Sequence, residues 1–257
     1  MRVLLLFLSL SLLYSCKPET EYANLIQSHI TESVSHNEWD KLTKKNVKSS
    51  GEVDYLSFIE DSIRFKSYLD LLSVNPPSEG WSNNEKLVYW INAYNAFTVQ
   101  IVLKHYPIES ITDIKTFHIP LVNTVWHDEF IPIGDQKISL NHIEHGILRK
   151  EFNDPRIHFA INCASLSCPK LRNEAYRSEQ IDKQLDDQAH AFFNDTGKNE
   201  FSVDRVEVSR IFQWFRKDFT TESTLIAYLN RYSPVEIRED ATISYKKYDW
   251  SLNEARK

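Results

Sequence analysis

From Leu87 to Leu103 the chain places Leu87, Trp90, Ile91, Tyr94, Phe97, Val99, Ile101 and Leu103 around most of a helix rather than along one stripe. A helix with almost no polar face must be covered on all sides, so this segment is expected to be central and buried. Its start is marked by Ser82 with Glu85 three residues on, a pair that can satisfy each other's free backbone N–H groups. It is expected to end before Pro107. Asn92 and Asn95 interrupt the apolar surface, three residues apart and therefore on one face. Buried amides are costly unless hydrogen-bonded. Two readings stand: they line a site and orient a substrate or a catalytic histidine, or they brace neighbouring loops through backbone groups.

The surrounding pattern is mixed. Glu21 to His36 reads as a helix outside the main core, and Asp54 to Val74 has a helical rhythm stopped by Asn75-Pro76-Pro77. Glu129 to Ile133 and Lys137 to Leu140 flank Gly134-Asp135 as a hairpin, with Asn141 capping a helix through Arg149. Arg156 to Asn162 reads as a strand and Glu179 to Phe193 as a helix. A second hairpin is expected at Glu200 to Val203 and Val206 to Val208, helices near Ile211–Phe215 and Glu222–Asn230, and a last strand pair near Val235–Ile237 and Thr242–Tyr245. Without a regular βαβ alternation, the expected class is α+β: one mainly helical domain with short antiparallel hairpins. Five glycines and nine prolines in 257 residues argue against linker-rich multidomain architecture.

The first residues look like a targeting segment. Arg2, the apolar run Val3 to Leu13 and the junction Leu13-Tyr14-Ser15-Cys16 fit a lipoprotein signal over 1–15, with Cys16 carrying the lipid. The run is short for a membrane span, which needs about 20 apolar residues. A tether and N-terminal helix over 16–53 would then lead into a domain over 54–250. The expected location is the bacterial cell envelope, with the membrane as partner through the lipid on Cys16. The net charge of −6 argues against nucleic acid as a partner. No cofactor is expected, and any protein or small-molecule partner is left open.

With Cys16 lipidated, Cys163 and Cys168 remain. Strand alternation over Arg156 to Asn162 would set Arg156, His158, Ala160 and Asn162 on one face, ending at Cys163. Three readings compete. Cys163 or Cys168 is a nucleophile, with His158 or His145 as base, Asn92 or Asn95 as orienter and turn N–H groups as an oxyanion hole. Alternatively His158, Cys163 and Cys168 bind zinc, joined by His145. Or the two cysteines form a structural disulfide, as exported pairs usually do. His142 and His145 also share a spacing of three, a weak metal signal. Ile211 to Phe215 with Asp218-Phe219 reads as core packing, and Trp126-His127-Asp128 as a loop.

Together, Asp54-Tyr55-Leu56, Trp90-Ile-Asn-Ala-Tyr-Asn-Ala96, Leu140 to Arg149, Asp154 to Cys163, Ser167-Cys-Pro169, Gln184-Leu-Asp186 and the Trp214 to Phe219 stretch resemble the domain of unknown function 547 family over roughly Asp54 to Asp249. The resemblance implies no settled activity. It implies exported proteins or lipoproteins among bacterial members, and adaptor-like contexts beside leucine-zipper, glutaredoxin or DEP modules in eukaryotes. The recurring His and Cys positions invite comparison with papain-like or transglutaminase-like thiol enzymes. The expectation is therefore an envelope-anchored thiol-dependent hydrolase or transferase, or else a non-catalytic binding or scaffold domain stapled by Cys163–Cys168.

Overall fold

The long apolar segment forms a helix over Asn83–His105, buried almost continuously from Leu87 to Val102. The computed structural model describes residues 32–115 and 124–255. Cys16, the signal segment and most of the helix expected over Glu21 to His36 lie outside them. In chain order, α1 is Asn37–Asn46, α2 Tyr55–Glu60, α3 Ser62–Val74 and α4 the Asn83–His105 helix. The capping box at its start is present: Ser82 Oγ accepts from the Glu85 backbone N–H, and the Ser82 N–H donates to Glu85 Oε2 at 2.8 Å. Asp61 breaks the expected single helix over Asp54 to Val74 into α2 and α3. The break lets Trp39 of α1 stack on Tyr68 at 5.8 Å while touching Phe58 and Phe65.

Next come β1 Ile131–Ile133 and β2 Gln136–Ile138, an antiparallel hairpin whose Gly134 takes φ +56°. Only residues tolerant of the left-handed region suit that turn. The helix expected after Asn141 is wound as a π-helix over His142–Leu148, followed by α5 Arg149–Glu151. The strand expected over Arg156 to Asn162 is instead a turn of helix, α6 Ile157–Ala160, with only Ile161 and Asn162 extended. Its backbone is satisfied locally, as in the Ile161 N–H bond to the Ile157 carbonyl, so it adds to no sheet. Then follow α7 Ile181–Phe193, β3 Glu200–Phe201, β4 Arg205–Val208, α8 Ile211–Trp214, α9 Arg216–Phe219, α10 Leu225–Leu229 and β5 Thr242–Tyr245. β3 and β4 pair antiparallel, but β5 joins β4 in parallel, and Val235–Ile237 forms no strand.

Ser33–Lys257 cluster as one unit, a single α+β domain. Among the described residues no helix is long and apolar enough to cross a membrane. The core has two apolar clusters: a large one around α4, and a smaller aromatic one of Phe159, Phe192, Phe193, Phe212 and Phe219. α6 stands on the seam, with Ile157 and Ala160 in the first cluster and Phe159 in the second. After β5 the chain returns across the domain. Val53 N–H donates to the Asn253 carbonyl, Asn253 N–H to that of Ala164, and Leu166 N–H to that of Ser251. This return brings the C-terminal aromatic residues to the loop that holds Cys163.

Phe159→Ala would leave a hole where four phenylalanine rings meet. A loss of about 3–5 kcal/mol is expected, read from the shift in denaturant midpoint.

Candidate functional site

Cys163 is placed by hydrogen bonds from both ends of its loop. Asn95 of α4 donates from Nδ2 to the Ala160 carbonyl at 3.0 Å, and its Oδ1 accepts the Asn162 N–H at 2.8 Å. Asn92 makes the same two-way bond with the backbone of Tyr176, at 3.0 Å in each direction. Both amides are therefore braces for backbone, and neither reaches the cavity described below. Asn162 closes the loop: its Nδ2 donates to the Pro169 carbonyl, and its Oδ1 accepts from the Ala164 N–H and from Asn253 Nδ2. Ala164 then takes φ +61°, an uncommon conformation for a residue with a Cβ, which turns the chain sharply past Cys163.

The turn directs donors at one sulfur. Cys163 Sγ lies 3.3 Å from Ser165 Oγ and 3.3 Å from Tyr248 OH, while the Cys168 thiol donates to the Ile161 carbonyl at 3.9 Å. Burial pushes the Cys163 thiol up, but hydrogen bonding with Cys168, Ser165 and Tyr248 outweighs it and brings it below its ordinary 9.0. Burial also raises Cys168, so the proton of the pair stays there. Both cysteines are free, which corrects the structural-disulfide alternative. Cys168 Sγ instead accepts the Cys163 backbone N–H at 2.8 Å. The expected oxyanion hole of turn N–H groups is also corrected. Those of Cys163 and Ala164 are spent on Cys168 Sγ and Asn162 Oδ1, and those of Leu166 and Ser167 on the Ser251 and Asp249 carbonyls.

The histidines are held elsewhere. His158 is buried, its Nε2 2.7 Å from Asp218 Oδ2 and its ring stacked 4.0 Å from Phe215. Burial lowers its pKa against the pull of Asp218, so the ring is neutral and Nε2–H is the donor. Arg149 binds the same carboxylate through Nε at 2.6 Å and Nη2 at 2.8 Å, and donates from Nη1 to His145 Nδ1 at 2.6 Å. His145 is lowered by burial and by Arg149, and its remaining proton is on Nε2. Neither His145 nor His158 is among the hydrogen-bond partners of Cys163. The expected Cys/His dyad is thus not formed in this conformation. The zinc reading is corrected as well: among the described residues no group of three His, Cys, Asp or Glu side chains could hold a metal ion. His142 and His145 are both exposed on the π-helix, and no metal cluster forms around them among the described residues.

These groups meet at a cavity of about 250 Å³ lined by Cys163, Cys168, Glu144, His145, His158 and an aromatic wall. The wall runs from Trp126 to Trp250 at 5.6 Å, Trp250 to Tyr248 at 4.5 Å and Tyr248 to Trp214 at 4.8 Å. Glu144 is 9% exposed, with Tyr94 OH 3.3 Å from Oε2. Burial, reinforced by Cys163 and only partly opposed by Arg149, raises its carboxyl from 4.5 to about 7.

Residues 78–193 match the family described as Protein of unknown function, DUF547. No curated protein and no solved structure matches the chain. The DUF547 segment runs from the approach to α4 to the end of α7 and contains Glu144, His145, His158, Cys163 and Cys168. The resemblance read from the sequence extended further, over Asp54 to Asp249. Asp218, Trp214, Tyr248 and Trp250 lie beyond the DUF547 match, so the cavity is completed by residues outside it.

Reading the sequence did not single out Glu144, Arg149, Asp218 or Tyr248 as site residues. For Glu144 a signal existed, an acidic residue among Ile143, Ile147 and Leu148. For Asp218 and Tyr248 none did, since their partners are 60 or more residues away. Trp126 and His127, read as loop, line the cavity from a short turn, Val125–His127.

A raised Glu144 fixes the sign of a pH effect. The native carboxyl keeps its proton where the unfolded one has lost it, so stability declines as pH rises from about 4.5 to about 7. Glu144→Gln is expected to flatten that decline and to be the more stable protein at pH 8, as read by denaturant titrations across the range.

Proposed function

We propose that the cavity at Cys163 is the site of a thiol-dependent hydrolase or transferase acting on an acyl group. The supporting observation is the pair of hydroxyls, Ser165 Oγ and Tyr248 OH, that each lie 3.3 Å from the Cys163 sulfur. A thiolate is the nucleophilic form of cysteine, and donors aimed at sulfur favour it without a histidine partner. Both cysteines line the cavity, but Cys163 is half-buried and Cys168 buried, which makes Cys163 the attacking group. His145, its Nδ1 engaged by Arg149, directs Nε2–H as a fixed donor for the developing oxyanion. Asp218 holds Arg149 and His158 together and so keeps that wall in place. The aromatic wall gives the acyl or leaving group an apolar surface and limits water.

Reduced, folded protein is expected to be alkylated by iodoacetamide at Cys163 well before Cys168, as mapped by mass spectrometry. p-Nitrophenyl acetate is expected to release a stoichiometric burst of nitrophenol and leave an acetyl group on Cys163, with both lost in Cys163→Ala. Absence of both adducts from folded wild-type protein would remove the reading.

We further propose that the chain acts at a membrane surface of the cell envelope, held by lipid on Cys16. The support is the ordering of Arg2, the apolar run and the small residue before Cys16. Each buried CH₂ of an acyl chain contributes about 0.8 kcal/mol, so multiple chains would hold the protein firmly. Cys16→Ala is expected to move the protein from the detergent-rich to the aqueous fraction in detergent phase partition; unchanged partition would count against the anchor.

A further inference from the structure

We propose that Glu144 is the proton donor and acceptor of the Cys163 site, an assignment that rests on the thiol reading above. A thiolate held by hydrogen bonds has no proton to pass on, so a leaving group poorer than nitrophenolate must be protonated by something else in the cavity. Glu144 lines that cavity beside Cys163. Tyr94 OH donates to its Oε2 at 3.3 Å, which leaves Oε1 for a substrate. Among the described residues Glu144 has no salt-bridge partner: the nearby Arg149 commits Nε and Nη2 to Asp218 and Nη1 to His145.

The other candidates are engaged. The His158 Nε2–H points at Asp218, and the His145 Nε2–H belongs to a neutral imidazole, a poor acid. Tyr248 and Cys168 are both pushed upward by burial, so they hold their protons. The titratable groups facing Glu144 are Cys163 from its loop, Tyr94 from α4, Asp218 from α9 and Arg149 from the chain just after the π-helix. The balance among them leaves the carboxyl protonated below about pH 7 and ionised above it, the range suited to two-way proton transfer. The π-helix supplies the position: its winding buries Glu144 while the neighbouring His145 stays exposed.

The chemistry balances without another reactant than water. The Cys163 thiolate attacks the acyl carbon and a carbon–sulfur bond forms. As the bond from that carbon to the leaving oxygen or nitrogen breaks, the leaving atom takes the Glu144 proton. The carboxylate formed removes a proton from water as its oxygen attacks the thioester. The carbon–sulfur bond then breaks, releasing the carboxylic acid and restoring both the thiolate and protonated Glu144.

Glu144→Gln keeps the shape and an acceptor for Tyr94 but cannot transfer the proton. With p-nitrophenyl acetate, whose leaving group needs no proton, the burst on Cys163 is expected to stay within about twofold of wild type. Hydrolysis of the acetyl-thioester is expected to fall by about 10²–10⁴-fold, the usual worth of a general acid–base group. Iodoacetamide alkylation of Cys163 against pH is expected to change from two coupled steps to one. A normal burst with unchanged thioester hydrolysis and an unchanged pH profile overturns the role of Glu144 and leaves the thiol reading standing. No burst and no alkylation in wild type overturns both. If Glu144→Gln does not fold, wild-type protein decides: the infrared band of a protonated carboxyl should vanish with rising pH at the midpoint seen in thioester hydrolysis, and unrelated midpoints overturn the proposal.

Discussion

The two-way hydrogen bond between Asn95 and the backbone on either side of Ile161 is the constraint on which the site depends. α4 is apolar on nearly every side, so its polar atoms must either be matched inside the protein or destabilise it. Asn95 is matched by the Ala160 carbonyl and the Asn162 N–H. That pairing locks the end of α6 against the central helix and starts the Cys163 loop from a fixed point. Asn92 does the same for Tyr176. The amides do not touch the reacting atoms, yet they determine where those atoms can be.

From that anchor, polar groups are handed outward in an ordered chain. Asn162 ties the loop to Pro169 and to Asn253 of the returning C-terminal segment. That segment brings Tyr248 to the sulfur and Trp250 to the cavity wall. On the opposite side, Asp218 binds Arg149 twice and His158 once, joining the chain after the π-helix to the aromatic cluster. The cavity is thus a junction between the two apolar clusters. Such a seam allows ionisable groups to be partly desolvated without lying deep in a core, which tunes their protonation.

Much of the fold was legible from local pattern. The capping box at Ser82 and Glu85, the buried length of α4 and the Gly134-Asp135 hairpin all depend on neighbours within a few residues. Elsewhere tertiary structure overrode the local signal. Alternation over Arg156 to Asn162 looked like a strand, but a short run shows similar apolar spacing as one helical turn, and no partner strand lies beside it. β5 is parallel to β4 because the intervening chain crosses over, which spacing alone cannot reveal.

The sequence by itself determined that a central helix would be buried with two amides inside it, and that Cys163, Cys168, His145 and His158 lie on neighbouring segments. Helical period, capping and residue chemistry act over a few positions, so they can be read directly. Only the tertiary structure decided what those residues do to one another. It turned the amides to backbone, gave the histidines to Arg149 and Asp218, left the thiols free, and placed Glu144 beside Cys163. The reason is that protonation and nucleophilicity depend on donors and charges a few ångströms away in space. Here those come from Tyr248, 85 residues along the chain from Cys163, and from Asp218, 69 residues from Arg149.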